Sequence, residues 1–320
     1  IEPHEISDLE SLGGSKVVSI PASSFQWGSP LRRLMDSRSR ILRSLPLFFS
    51  RKPIFLNSHL LMRSKPLEKY LRTLNWADFD IVHVERIYLA DSVLDCIDDI
   101  RRAKVRMVMD LDELESEVAA RSMAYPVCSH STVLGRFLRR WDLQRLRRYE
   151  AGIIPRFDAC TVSSDIEMHH LSRRGFSNKK EVIPNSVDTR HYAPNILKET
   201  RNSDILFVGQ MGYGPNIDAA TYFVKKIFPA IFKTIPSARF FIVGQRPSED
   251  VSRLHNGTSV FVTGEVPDTR PYHEQCSVFV NPIRYGGGTR IKILESIAMS
   301  DAVVSTSILS EGIAVTKDKE

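Results

Sequence analysis

Residues 277–295 read SVFVNPIRYGGGTRIKILE, and the order of their parts decides the fold class. Ser277 to Val280 is a short apolar strand, Asn281-Pro282 a turn, and Gly286-Gly287-Gly288 a glycine run. From about Thr289 the apolar residues recur at helical spacing. A strand that feeds a helix through a glycine-rich loop is the repeating unit of a parallel α/β sheet, and in such sheets the ligand sits beyond the carboxyl ends of the strands. The loop falls at that place. Consecutive glycines let the backbone approach a ligand closely. Helix-start N–H groups favour an anion, and Arg290 and Lys292 in the first turn add charge-assisted hydrogen bonds. Glu295, one turn further on, offers an acceptor pair suited to a sugar diol. Phosphate at one end and hydroxyls at the other outline a nucleotide site. A plainer reading also fits these residues: a glycine turn before a helix, with Lys292 and Glu295 as a three-apart surface ion pair worth roughly 0.2–0.5 kcal/mol.

The surrounding chain repeats the same grammar. Asp204 to Gly209 (DILFVG) is a buried strand ending at glycine, and Asn216 to Lys233 has helical periodicity that Pro229 must end or kink. Phe240 to Val243, Ser259 to Val262 and Ala302 to Ser305 are further strands, and Arg290 to Met299 a helix. Continuous apolar strands separated by helices predict a parallel sheet covered on both faces. The N-terminal half follows less clearly, with strands at Asp80 to Val84, Val105 to Leu111, Ala159 to Ser163 and Glu181 to Pro184. Helices are expected over Ala90 to Arg102 and Gly135 to Ala151, and an early strand at Val17 to Ile20. These patterns divide the chain into a domain at 1–191, a linker at 192–203 and a second domain at 204–320.

A chain of 320 residues, 42% hydrophobic and 26% charged, has the composition of a soluble globular protein large enough for two cores. No apolar run approaches the roughly 20 residues of a membrane-spanning helix. There is neither an initiating Met nor a signal-peptide pattern, so the chain reads as a fragment or a processed product. Cys96, Cys128, Cys160 and Cys276 are widely spaced, with no CxxC pair and no His at metal-ligand spacing. They read as reduced thiols of a cytoplasmic protein, and no metal site is expected.

The net charge of +6 conceals segregation. Leu31 to Thr73 holds eleven Lys and Arg against Asp36 and Glu68, and Arg136 to Arg148 holds six Arg against Asp142. The first block interleaves Leu45, Leu47, Phe48 and Phe49, which suits peripheral docking on an anionic membrane. Pro46 and Pro53 argue against one long amphipathic helix there, and a basic surface with no partner remains the alternative. The second block reads as a solvated helix face. No DNA-reading motif, zinc knuckle or RNP-type strand is present, so no nucleic-acid partner is expected.

The ordered series Ile183-Pro184-Asn185-Ser186-Val187-Asp188, Phe207-Val208-Gly209, Pro215-Asn216, Ile242-Val243-Gly244, Val262-Thr263-Gly264 and Lys292-Ile293-Leu294-Glu295-Ser296-Ile297-Ala298-Met299 resembles the family 4 glycosyltransferases. Val303 to Thr306 and Glu311-Gly312-Ile313 continue it, and the resemblance runs from Asp80 onward. It implies an α/β GT-B fold, two Rossmann-like domains with parallel sheets facing across a cleft. The acceptor would be bound by the first domain and the nucleotide-sugar by the second. It implies a hexosyltransferase-type enzyme that retains anomeric configuration, needs no metal or other cofactor, and uses a UDP- or GDP-sugar on a saccharide or lipid-linked acceptor. Donor-binding roles then fall to Gly286, Gly287, Gly288, Thr289, Arg290, Lys292, Glu295, Gly209 and Asn216. Arg290 and Lys292 would neutralise the departing diphosphate, and Glu295 would contact the ribose. Family members also begin with a strand and glycine-rich loop and end with helices that this chain lacks, which implies truncation at both ends.

Three departures qualify the match. Gly287 stands where the family often has a second glutamate, and Gly209 leads into Gln210-Met211-Gly212 instead of the common Arg and Lys. A subgroup with GGGTRxKxLE loops shows both changes, with Arg290 supplying the missing cation. Asp112, in Asp110-Leu111-Asp112-Glu113, falls where many members place a catalytic His. It is therefore the candidate for an acceptor-side role, with a loop carboxylate or helix cap as the alternatives. These departures leave open a non-catalytic sugar-nucleotide binder or a GT-B epimerase. A nicotinamide dehydrogenase fits worse: Gly209 to Gly214 reads GxxGxG, and no acid closes the strand Phe241-Ile242-Val243-Gly244.

Overall fold

A computed structural model describes residues 25–27, 62–125, 133–194, 202–286 and 291–307. The expected strand at Val17 to Ile20, Cys128, most of the first basic block, and Gly287, Gly288, Thr289 and Arg290 lie outside the described residues. By internal contacts the chain divides into two compact units. The first is Ile1–Ser116, Ser131–Thr161 and Arg174–Glu181; the second is Glu117–His130, Val162–Arg173 and Val182–Glu320.

The first elements are two short strands, β1 (Phe25–Trp27) and β2 (Met62–Ser64), paired antiparallel. A helix, α1 (Lys65–Leu71), follows. Next comes a four-stranded sheet in the order β3 (Ile81–Glu85), β4 (Arg106–Asp110), β5 (Ala159–Val162) and β6 (Lys179–Val182). β3, β4 and β5 run parallel. Met107, Met109, Cys160 and Val162 are buried within it. The helices between strands are α2 (Ala90–Leu94), α3 (Ile97–Arg102), α4 (Glu115–Ala124), α5 (Val133–Ile153) and α6 (Asp165–Arg173). The helix expected over Ala90 to Arg102 is therefore two helices, broken at Asp95-Cys96.

The second sheet has five strands, β7 (Ile205–Val208), β8 (Phe240–Val243), β9 (Val260–Gly264), β10 (Val278–Asn281) and β11 (Ala302–Ser305), in the spatial order β11-β10-β7-β8-β9. The β11–β10, β10–β7, β7–β8 and β8–β9 pairs are all parallel. Such a sheet must bury both faces, and Phe207, Phe240 and Phe279 are fully buried, with the Phe223 ring 4.5 Å from that of Phe240. Its helices are α7 (Gly214–Tyr222), α8 (Phe228–Thr234), α9 (Glu249–Ser252), α10 (Arg270–Gln275) and α11 (Ile291–Ala298). Pro229 does not end the first of these. The ladder widens into a π turn at Phe223–Ile227, and Pro229 stands in the first turn of α8, where its missing N–H costs nothing.

The strand order matters for function. From β7 the chain builds outward through β8 and β9, then returns to place β10 and β11 on the other side. The connections after β7 and β10 thus leave neighbouring strands in opposite directions. That topological switch point is where open α/β sheets bind ligands. Among the described residues no helix is long and apolar enough to cross a membrane.

Candidate nucleotide site

The β7–α7 connection, Gly209 to Tyr213, is tied down at each step. Gly209 N donates to Val243 O at 3.0 Å, Met211 N to Gln245 O at 2.9 Å, and Tyr213 N to Gln210 O at 3.1 Å. Two glycines are required by close backbone approach: a Cβ on Gly212 would lie 2.8 Å from Arg246 O, and one on Gly244 would lie 1.8 Å from Gly209 O. Pro215 then starts α7, and Asn216, 5% exposed, turns its side chain back toward this connection.

Lys292 and Asn216, two of the residues singled out in the sequence, meet at this point. Lys292 Nζ donates to Asn216 Oδ1 at 3.0 Å, and Asn216 Nδ2 donates to Gln210 O at 2.9 Å. The ammonium also stands 4.9 Å from the centre of the Phe207 ring, at the end of β7. A cation carried by the helix after β10 is therefore held over the carboxyl end of β7, across the switch point. The Lys292 side chain is thus turned toward Asn216 on α7.

Glu295, one turn on, is half-buried and hydrogen-bonded by the Tyr192 hydroxyl. Burial pushes the Tyr192 phenol up, the adjacent Glu295 charge adds to the rise, and the Thr269 hydrogen bond opposes it. Arg270 reaches the same segment, donating to His191 O at 3.1 Å while Asp268 grips its guanidinium. Tyr192, Asp268 and Arg270 were not marked by any motif.

The root of the glycine loop is anchored as well. Arg284 Nε and a terminal nitrogen donate to the two oxygens of Asp218 at 3.0 and 2.6 Å, and its guanidinium lies 4.0 Å over the Tyr222 ring. The Asp218 hydrogen bonds raise the Arg284 pKa above its ordinary value against the opposing effect of burial. Gly286 takes a φ of +116°, a conformation that favours glycine. Arg284 stands two residues before the glycine run, and Asp218 two residues after Asn216, so their proximity to the motifs was the available signal. A cavity of about 510 Å³ also opens beside β10 and β11. It is lined mainly by apolar side chains such as Phe223, Ile227, Ile231 and Val304, and none of Gly209, Asn216, Lys292 or Glu295 borders it.

In the first unit, Asp112 sits just past the carboxyl end of β4. Its backbone is left-handed, with φ of +55°, and its N–H donates to Asp110 Oδ1 at 3.2 Å. Arg86, just past β3 and also left-handed at φ +61°, donates to Asp112 Oδ2 at 2.6 Å. Glu113 and Glu115 carboxylates lie 3.9 Å from the same guanidinium, and the Tyr88 hydroxyl bonds Glu115. Burial pulls the Arg86 pKa down, but the fields of Asp112, Glu113, Glu115 and Tyr88 together raise it. Arg86 thus organises the carboxylates at this sheet edge. Among the described residues no group of His, Cys, Asp and Glu is arranged to hold a metal ion, and Cys96, Cys160 and Cys276 are buried and not in disulfides.

Residues 202–319 match the family model for glycosyl transferases group 1. The match covers the whole five-stranded sheet together with Gly209, Asn216, Lys292 and Glu295. A curated relative, an uncharacterized 44.6 kDa protein in the cps region of Klebsiella pneumoniae, is 26% identical over 139 residues, spanning 41% of this chain and 36% of its own. Solved structures with the same fold include Anabaena HepE in complex with UDP, at a TM-score of 0.51 and 12% identity over 78% of this chain and 64% of that one. TarM superposes at a TM-score of 0.56 and 14% identity, over 81% of this chain and 48% of that one. The pneumococcal O-GlcNAc transferase GtfA, in complex with UDP and GlcNAc, does so at 0.52 and 11% identity, over 77% of this chain and 46% of that one. The fold is of the GT-B, Rossmann-like α/β type. The chain spans less than two thirds of the length of these relatives.

Proposed function

We propose that this chain acts as a glycosyltransferase, moving a hexose from a UDP- or GDP-sugar to a saccharide or lipid-linked acceptor. The observation that carries the reading is the position of Lys292 over the end of β7, held by Asn216. It falls within the segment that matches the glycosyl transferases group 1 model. The UDP bound in the HepE and GtfA structures supports a nucleotide ligand for this fold.

In this reading Gly286, Gly287, Gly288 and Thr289 form the diphosphate-side loop. As the bond between the sugar and the terminal phosphate oxygen breaks, negative charge grows on the diphosphate, and Lys292 and Arg290 neutralise it. With two cations in that role the reaction needs no metal. Glu295 accepts hydrogen bonds from the ribose hydroxyls, Gly209 and Asn216 complete the donor side, and the sugar is transferred with retention. Asp112 binds an acceptor hydroxyl. The basic stretch 31–73 brings the protein to anionic membrane, where a lipid-linked acceptor resides.

The ion pair between Asp112 and Arg86 favours a second reading, a non-catalytic sugar-nucleotide binder, because it gives Asp112 a structural employment. Hydrolysis of a UDP- or GDP-sugar without acceptor separates enzyme from binder. Thermal shift with UDP, GDP and NADH tests the site itself: stabilisation by UDP or GDP is expected, and stabilisation by NADH alone overturns the reading. Glu295→Ala and Arg290→Ala should each weaken the nucleotide response. Salt-sensitive sedimentation with anionic vesicles tests the membrane contact, and no retention at low salt removes it.

A further inference from the structure

We propose that Asn216 and Gly209 are positioning residues that act through Lys292, forming a seat that fixes its ammonium at the diphosphate position without themselves touching the nucleotide. This rests on the donor-side reading of Lys292.

The carboxamide of Asn216 is committed at both ends. Its oxygen accepts from Lys292 Nζ at 3.0 Å, and its nitrogen donates to Gln210 O at 2.9 Å. A carbonyl needs a donor and an ammonium needs an acceptor, so neither bond survives an amide flip, and the orientation is determined. At 5% exposure Asn216 is also a buried polar residue whose cost is offset only while these bonds hold. Its backbone is fixed in the first turn of α7, with Asn216 N donating to Tyr213 O at 2.9 Å. The carboxamide therefore transmits the position of the β7–α7 connection to a side chain on α11.

Gly209 supplies the space. Its φ is outside the left-handed region occupied by Gly244, Gly264 and Gly286, so its backbone conformation does not demand glycine. A Cβ at this position would lie 2.7 Å from Lys292 Nζ and 2.9 Å from Asn216 Nδ2. The atoms that need the vacant volume belong to the two side chains that make the seat. Both are ends of side chains, so a methyl group there moves the ammonium and the carboxamide while leaving the backbone in place.

The test is calorimetric titration of the 320-residue chain with UDP, GDP, uridine and guanosine. Asn216→Ala is expected to weaken the diphosphate by about tenfold, the value of one charge-assisted hydrogen bond. Nucleoside affinity should be unchanged, because Lys292 acts on phosphate alone. In a Lys292→Ala background Asn216→Ala should have little further effect on the diphosphate. Gly209→Ala should reproduce the Lys292→Ala loss without removing any polar group, and it carries the test if Asn216→Ala fails to fold. Equal weakening of nucleoside and diphosphate, or full additivity with Lys292→Ala, overturns the proposal. If Lys292→Ala weakens the diphosphate and neither seat variant does, the donor-site reading stands and only the seat fails. A wild-type chain that binds neither UDP nor GDP overturns both.

Discussion

Gly244 packs against Gly209 so closely that a Cβ added to Gly244 would stand 1.8 Å from Gly209 O, and Gly244 also takes a φ of +145°. Two strand ends, β7 and β8, are brought together there by the bond from Gly209 N to Val243 O. Gly244→Ala is therefore expected to combine backbone strain with overpacking, costing about 1–3 kcal/mol for the overpacking alone. Chemical denaturation should show the loss. Because the displaced atom belongs to Gly209, nucleotide affinity should fall as well.

Arg284 is expected to hold the entrance of the glycine loop. Its guanidinium makes two hydrogen bonds to the nearly buried Asp218 and lies on the Tyr222 ring. Arg284→Ala should destabilise the chain by about 1.5–3 kcal/mol, the range for hydrogen bonds to charged groups. Arg284→Lys should recover little of this, since an ammonium supplies neither the two-pronged geometry nor the flat stacking surface. Melting curves of both variants check the prediction.

These two sites also show what residues alone reveal. The five strands of the second sheet were legible because each is a continuous apolar run closed by a turn residue, as in FFIV followed by Gly244. α4 and α6 were not, because their burial is polar: Arg121 on α4 pairs at 3.0 Å with Glu167 on α6, which is 2% exposed. A buried carboxylate breaks the apolar stripe that marks a helix. The break at Asp95-Cys96 carries neither Gly nor Pro, and nothing in the structure explains it. Lys292, Asn216, Gly209 and Glu295 were readable from motifs. The pairs that flank this candidate site, Arg284 with Asp218 and Tyr192 with Glu295, join residues 66 positions apart or more. Such pairs exist only once the chain has folded.

Glu150 should make stability depend on pH. It is fully buried on α5, and its carboxylate accepts from Ser116 N at 2.8 Å and from the Ser116 hydroxyl at 2.5 Å, with Arg174 at 3.4 Å. Burial pushes its pKa up to about 7, against the Ser116 bonds and the Arg174 charge, while nearby Glu115 adds to the rise. The folded state thus holds a proton that the unfolded chain releases at ordinary carboxylate pH. Between those two values the folded state binds more protons, so this group's contribution to stability is greatest in acid and declines as pH rises toward about 7. Glu150→Gln removes the titration. Denaturation midpoints at pH 5.5 and 7.5 should fall more steeply for the wild type than for this variant.

Asp112 is the residue whose role most needs a substitution that leaves its backbone alone. Its φ of +55° is tolerated by Asn, whereas Ala would add backbone strain of about 1–3 kcal/mol and blur the result. Asp112→Asn keeps the shape and an acceptor for Arg86 but removes the negative charge. If the carboxylate binds an acceptor hydroxyl, acceptor-dependent turnover should fall about tenfold or more, as expected for a lost charged hydrogen bond, while UDP or GDP affinity stays constant. Arg86→Ala separates the two roles of this carboxylate. It removes the guanidinium held 2.6 Å from Asp112 and so should lower stability, because three carboxylates lose their shared cation. The Asp112→Asn chain should melt much closer to wild type. A large stability loss in both variants with no change in acceptor kinetics for Asp112→Asn would make the pair structural. Steady-state kinetics with varied acceptor at saturating nucleotide-sugar, read beside melting curves, distinguishes these outcomes.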